Sequence, residues 1–176
     1  MFALNRILVP SNLGEPSRSA VKYGVAFARQ FGAKLFLVHV LPARELDAVL
    51  ETERVMEVLA PDAPAADPSS AELDAREVAA NAARHDLAQL LSPEDEQATQ
   101  AEYLLRPSGL AGAGDAIVAC ARELDVELIV MGKHRIGFME HLLAGSVTEK
   151  VIRHAPCPVL IVQHPEHEFV VDAAEP

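Results

Sequence analysis

Residues 127–162 decide the fold, and they read ELIVMGKHRIGFMEHLLAGSVTEKVIRHAPCPVLIV. The apolar run Glu127–Met131 predicts a buried strand. Ser146–His154 follows with helical spacing, and the apolar run Val159–Val162 predicts a second strand. Two strands joined through a helix form a βαβ unit, whose strands lie parallel in one sheet.

The same alternation extends towards the N-terminus. Three more short apolar runs predict three more strands: Ile7–Val9, Leu35–Leu41 and Glu102–Leu105. Pro16 suits the first position of a helix that Gly32 ends, and Asp115–Leu124 predicts a further helix. The strands and helices alternate as βαβαβαβαβ, which predicts the α/β class: a doubly wound, five-stranded parallel sheet with helices on both faces.

The segment between the second and third predicted strands is longer than the other crossovers. Arg44–Leu59 is interpreted as an amphipathic helix, and Pro61–Ser70 as a loop by its composition. Ala71–Leu91 predicts a helix with Ala-rich turns.

The composition limits the classes of protein. The 176 residues suffice for one domain, predicted at 1–163 with a loop and helix insertion around 43–100 and a polar acidic tail at 164–176. A net charge of -11 argues against a nucleic-acid partner, because phosphates bind basic surfaces. We expect no membrane span and no signal peptide. Cys120 and Cys157 lack metal-ligand or redox spacing, so we expect no metal site and a cytoplasmic location.

The loop after the fourth predicted strand is the candidate for ligand binding. Ligands of doubly wound sheets bind beyond the carboxyl ends of the strands, where strand order reverses. Gly145 precedes the helix that opens at Ser146, and a helix start attracts phosphate. The alternative is a capping box, in which Ser146 and Glu149 satisfy the backbone of the helix start. Spacing alone favours capping and leaves both interpretations open.

Several stretches together resemble a known family. They are Ala144–Val151, His154–Val162, Ile7–Pro10, Glu15–Ser17 and Leu37–Val40. These stretches resemble the universal stress proteins (the UspA-like family), over roughly residues 5–41 and 102–163. The resemblance implies a flavodoxin-like, adenine nucleotide alpha hydrolase-like three-layer sandwich with strand order 3-2-1-4-5. It also implies a homodimer through the edge strand Val159–Val162.

ATP-binding members of that family carry Gly-x2-Gly-x9-Gly-Ser/Thr after the fourth strand. Gly132, Gly145 and Ser146 match this pattern, whereas Arg135 stands at the second Gly position. A side chain there opposes the backbone freedom of a loop Gly. It also adds a cation beside Lys133 that can reach a phosphate, with a solvated surface turn as the alternative.

The resemblance extends to the other strand ends. The family's nucleotide-contacting Asp after the first strand falls on Asn12, while Val40 and Met131 are retained. Asn keeps a hydrogen-bonding side chain and loses the charge. The resemblance thus implies an ATP site, with Mg²⁺ accompanying the nucleotide, built from Pro10, Ser11, Asn12, Val40, Met131, Gly132, Arg135, Gly145, Ser146 and Val147.

Three functions follow as hypotheses. The first is a nucleotide-binding stress-response or signalling module, whose ATP-dependent conformation is read by an unknown protein partner. The second is a dimeric stress-response adaptor that has lost ATP binding, which Asn12 and Arg135 favour. The third is an enzyme, which no nucleophile–base pair supports, so we expect at most weak incidental ATP hydrolysis.

Two other patterns have structural interpretations. Gly112-Ala113-Gly114 resembles the start of a dinucleotide-binding fingerprint, but Ile117 stands at the third Gly position. We therefore interpret it as the loop before a helix. His39, in an otherwise apolar strand, is interpreted as a buried, hydrogen-bonded imidazole rather than a catalyst.

Overall fold

The computed structural model describes residues 3–41, 68–109, 111–132 and 147–162, without the side chains of 68–77. Five strands form one parallel sheet: β1 (Arg6–Ser11), β2 (Lys34–Leu41), β3 (Glu102–Pro107), β4 (Leu128–Gly132) and β5 (Val159–Val162). They lie in the order β3-β2-β1-β4-β5, with every neighbouring pair parallel. The predicted fold class and strand order are confirmed.

Within the described residues, five helices accompany the sheet: α1 (Glu15–Phe31), α2 (Pro68–Ala88), α3 (Pro93–Thr99), α4 (Ala113–Glu123) and α5 (Val147–His154). The apolar residues that they bury form two layers, one on each face of the sheet. α1 and α2 cover Ile7, Val9, Leu35 and Leu37. α4 and α5 cover Leu8, Phe36, Val38 and Ile129. Alternate strand residues thus enter opposite layers, as the pleat of a strand requires.

The second crossover differs from the sequence-based expectation. The helix predicted at Ala71–Leu91 begins at Pro68, inside the segment interpreted as a loop, and ends at Ala88. Proline fits a first helical turn because its missing N–H would have no partner there. The Ser92 side chain then accepts the backbone N–H of Asp95 at 3.1 Å and starts a separate helix, α3. The helix predicted at 44–59 and the tail at 164–176 lie outside the described residues.

The Gly112-Ala113-Gly114 motif is explained by helix packing. Gly112 is the N-cap of α4 at φ +89°, and Gly114 lies in the first helical turn rather than in the loop. A Cβ added to Gly114 would stand 2.9 Å from Cβ of Lys150 on α5. The absent side chain therefore lets α5 cross α4 closely, and Lys150 pairs there with Asp115.

The end of β4 lies against the first turn of α1. A Cβ added to Gly132 would lie 2.0 Å from the carbonyl oxygen of Pro16 and 2.4 Å from its carbonyl carbon. Both atoms are backbone, which cannot move aside as a flexible side chain would. Only glycine allows this approach of helix and strand.

Glu127 joins the opposite, amino ends of β1 and β4. Its carboxylate accepts the Asn5 backbone N–H at 2.6 Å, the Asn5 side-chain amide at 2.8 Å and the Arg6 backbone N–H at 2.8 Å. The amide of Asn5 is the largest cause that lowers the pKa of Glu127 below 4.5, followed by the backbone N–H of Asn5.

We expect Gly132→Ala to destabilise the protein by about 1–3 kcal/mol, because α1 or β4 must shift to admit the methyl group. Urea unfolding followed by circular dichroism measures the change. A free energy of unfolding within about 0.5 kcal/mol of wild type would contradict the close approach.

We expect Glu127 to make stability depend on pH on the acid side. A depressed folded-state pKa means that the folded protein binds fewer protons, so its stabilisation is complete above pH 4.5 and is lost as pH falls through the folded pKa. Urea unfolding of wild type and Glu127→Gln between pH 7 and pH 3 tests this. Their difference in free energy should shrink as pH falls below about 4.5, and a difference that stays constant would refute the role of the carboxylate.

Candidate functional site

The carboxyl ends of three neighbouring strands bring several predicted site residues together. Asn12 directly follows β1, Val40 lies near the end of β2, and Gly132 ends β4. In the order β3-β2-β1-β4-β5, β1 has β2 on one side and β4 on the other. The strand order reverses between β1 and β4, so these residues surround the switch point of the sheet.

Asn12 forms a tight turn before α1. Its Oδ1 accepts the Gly14 backbone N–H at 3.1 Å and the Ser17 hydroxyl at 2.6 Å. The Asn12 backbone N–H in turn donates to Ser17 Oγ at 3.0 Å. Leu13, inside the turn, takes a left-handed φ of 65°. The side-chain oxygen of Asn12 is therefore fully engaged in starting the helix, while the residue itself is exposed.

Pro10 and Ser11 end β1 as buried residues. Ser11 Oγ accepts the Leu13 backbone N–H at 3.0 Å, so the hydroxyl supports the turn. The Ser11 carbonyl oxygen lies 2.8 Å from Nδ1 of His39, which is 6% exposed. A carbonyl only accepts, so His39 carries a proton on Nδ1. This confirms the interpretation of His39 as a buried, hydrogen-bonded imidazole.

Val40 and Met131 differ in what they can offer a ligand. Met131 is 5% exposed and packs in the apolar layer beneath α4 and α5, so its side chain belongs to the core. Val40 is half-buried against the same layer and retains exposed surface at the strand end. Of these two side chains, Val40 is therefore the one with apolar surface left for a ligand.

The phosphate side of the predicted site is described in part. Gly132 is fixed by the close approach of Pro16, a packing reason that sequence spacing did not reveal. Val147, with 40% of its surface exposed, begins α5. Arg135, Gly145 and Ser146 lie outside the described residues. A helix of this length has a partial positive charge at its start, and here the start follows directly on the Gly-Ser pair.

Sequence reasoning missed the residues that hold Asn12 in place. Gly14 and Ser17 supply its hydrogen-bond donors, and Pro16 supplies the contact to β4. A signal was present, because Asn followed two positions later by Gly is typical of an Asx turn.

The two cysteines lie away from this edge, in the apolar layer under α4 and α5. Burial is the largest cause that raises the pKa of Cys120, with Arg106 opposing it. Burial also raises the pKa of Cys157, and Glu127 adds to the effect. Both stay as protonated thiols near neutral pH, and a thiol is a poor nucleophile.

Comparison with curated proteins finds relatives among the universal stress proteins. A universal stress protein of Methanocaldococcus jannaschii is 26% identical over 167 residues, which cover 93% of this chain and 84% of that protein. A putative universal stress protein of Staphylococcus haemolyticus is 41% identical over 58 residues, 32% of this chain and 35% of that protein.

Solved structures share the fold. The hypothetical protein MJ0577 superimposes with a TM-score of 0.64 at 23% identity, covering 94% of this chain and all of that one. A universal stress protein in complex with cAMP gives 0.56 at 20% identity, covering 92% and 98%. Both likenesses support the doubly wound fold.

No helix in the described part of the chain has the length and hydropathy needed to cross a membrane. The family model of the universal stress proteins matches residues 3–163, most of the chain. The strand order, the switch point and this match agree, and the chain belongs to the universal stress protein family.

Proposed function

We propose that this chain is a nucleotide-binding stress-response or signalling module that takes ATP with Mg²⁺ and presents its bound conformation to a protein partner. One observation carries the proposal. Asn12, Val40 and Gly132 lie at the carboxyl ends of three adjacent strands around the switch point, where sheets of this topology bind ligands.

The arrangement supports one orientation of the nucleotide. Val40 offers an apolar surface on the β2 side, which suits a base. Gly132 and the start of α5 lie on the β4 side, where backbone N–H groups and a helix start favour phosphates. The nucleotide would cross the end of β1 between them. The cAMP complex of a structurally similar family member supports an adenine nucleotide as the ligand class.

The adaptor alternative also has structural support. Both Asn12 and Gly132 have reasons to be present without any ligand: Asn12 starts α1, and Gly132 admits Pro16. A dimeric adaptor that has lost ATP binding would keep both residues for stability alone.

We propose a binding protein rather than an enzyme, with at most incidental ATP hydrolysis. The described hydroxyls near the switch point serve the turn: Ser11 Oγ accepts from Leu13, and Ser17 Oγ donates to Asn12. His39 contacts a backbone carbonyl instead of either hydroxyl. Cys120 and Cys157 are both free rather than joined in a disulfide, which is in keeping with the expected cytoplasmic location.

We further propose a homodimer in which β5 pairs with its copy. β5 is an edge strand whose Val159, Leu160 and Ile161 are only partly buried. An exposed apolar edge is prone to aggregation unless another strand covers it. A two-fold axis beside β5 would place two identical edges against each other.

We expect ATP with Mg²⁺ to bind wild type in calorimetric titration, and Gly145→Val to weaken binding at least about tenfold, since a β-branched side chain blocks close approach of a phosphate. Arg135→Gly should tighten binding, because Arg135 stands where nucleotide-binding relatives are expected to have Gly. The thermal midpoint of each ligand-free variant checks that the fold is intact. If wild type and Arg135→Gly both give neither heat nor thermal shift at millimolar ATP, the nucleotide proposal is refuted and the adaptor alternative stands.

We expect Ile161→Pro to convert the dimer into a monomer. Ile129 donates its N–H to the Pro158 carbonyl. Successive residues of a strand direct their backbone groups to opposite sides, so Pro158 and Leu160 form hydrogen bonds with β4 while the Ile161 N–H points outward. Proline removes that outward donor and leaves the bonds to β4. Ile161→Ala is the matched control, because it removes the same packing and keeps the N–H.

Light scattering measures the masses. Wild type and Ile161→Ala should give twice the chain mass of 18.9 kDa, and Ile161→Pro the single mass. A wild-type mass of one chain at every concentration would contradict the homodimer, and a dimeric Ile161→Pro would contradict pairing through β5.

A further inference from the structure

We infer that Asn12 makes the nucleotide site prefer a 6-oxopurine, such as hypoxanthine or guanine, over the 6-aminopurine adenine. The inference rests on the proposed function, because it concerns base selection at the same site. ATP remains a ligand, held by contacts that all purine nucleoside triphosphates share. The position-12 side chain then decides which purine binds more tightly.

The orientation of the Asn12 amide is fixed by its partners. The Gly14 backbone N–H, 3.1 Å away, can only donate, so the atom facing it must be the amide oxygen. Ser17 Oγ already accepts the Asn12 backbone N–H at 3.0 Å, and its own proton goes to Asn12 Oδ1 at 2.6 Å. An amide turned by 180° would set the Nδ2 donor against the Gly14 N–H, which cannot accept.

The amide nitrogen is therefore the polar group of the Asn12 side chain that is left for a ligand. Asn12 is exposed, and its Nδ2 donates to none of the described residues. An Asp at this position would make the same two bonds with one carboxylate oxygen and present the other as a charged acceptor. The substitution of Asn for Asp thus reverses the polarity of the outward group without altering the turn.

This donor lies on the base side of the proposed site. Ser11 pairs with His39 in the β1–β2 register, and Asn12 and Val40 are the residues that follow this last pair. An apolar side chain and a hydrogen-bond donor at the ends of adjacent strands suit the flat face and the polar edge of a base.

Adenine and a 6-oxopurine differ in how well their polar edges match the Asn12 amide. Adenine presents N7 as an acceptor and its 6-amino group as a donor, so a two-point contact with Asn needs both Oδ1 and Nδ2. Because Gly14 and Ser17 already occupy Oδ1, the 6-amino group of adenine finds no acceptor on Asn12. The Nδ2 donor and the 6-amino donor then face each other. A 6-oxopurine presents O6 and N7, both acceptors, and the two hydrogens of Nδ2 match them.

Calorimetric titration with ATP and inosine triphosphate tests the inference, since their bases differ only around the six position. Wild type should bind inosine triphosphate about tenfold more tightly than ATP. In Asn12→Asp this preference should fall at least about tenfold, because the outward group becomes an acceptor. Ser17→Ala should reduce the preference partly, since it frees Oδ1 and lets the amide rotate.

The matched control is Asn81→Asp, which makes the same change of charge at an exposed position on α2. The ratio of its affinities for inosine triphosphate and ATP should equal that of wild type. Equal thermal midpoints for Asn12→Asp and wild type would show that the turn before α1 is intact. If both nucleotides bind and their ratio is the same in wild type and Asn12→Asp, the inference is overturned and the nucleotide function stands. If neither nucleotide binds wild type at millimolar concentration, the proposed function fails and the inference fails with it.

Discussion

The contact between the first turn of α1 and the end of β4 constrains the rest of the functional edge. Pro16 lies so close to Gly132 that a single methyl group at position 132 would overlap its carbonyl. Because α1 follows β1 after a short turn, this contact also fixes where that turn stands. The turn that holds Asn12 and Gly14 therefore lies beside the end of β4.

That constraint changes how the glycine pattern after the fourth strand is understood. Sequence spacing links Gly132 to phosphate binding through the family pattern, whereas the structure gives it a packing role as well. The absent side chain at position 132 therefore has a structural reason that needs no ligand. Loss of ATP binding in Gly132→Ala would therefore be ambiguous, which is why Gly145 and Asn12 are the better positions for testing the site.

The sequence predicts the sheet well and the crossovers less well, for physical reasons. Buried parallel strands read as continuous apolar runs, so all five strands could be predicted from the residues, while their order was predicted from the family resemblance. The second crossover is Ala-rich and weakly amphipathic, and there the pattern did not separate α2 from α3. Ser92 and Pro93 mark that break locally, as N-cap and first helical residue. For the site, the family resemblance selected residues at the strand ends, but no spacing could show that Met131 faces the core.

An acidic protein that binds a polyanion must supply its positive potential locally. Among the described residues, many basic side chains are already paired with carboxylates, including Arg6, Arg29, Arg106 and Lys150. The fixed backbone dipoles at a helix start can then attract a phosphate, because they are already oriented before binding and need no additional charged side chain. A neutral residue at position 12 fits the same logic. Relative to the Asp that the family resemblance implies at this position, it removes one carboxylate beside the proposed site and keeps the hydrogen bonds of the turn before α1.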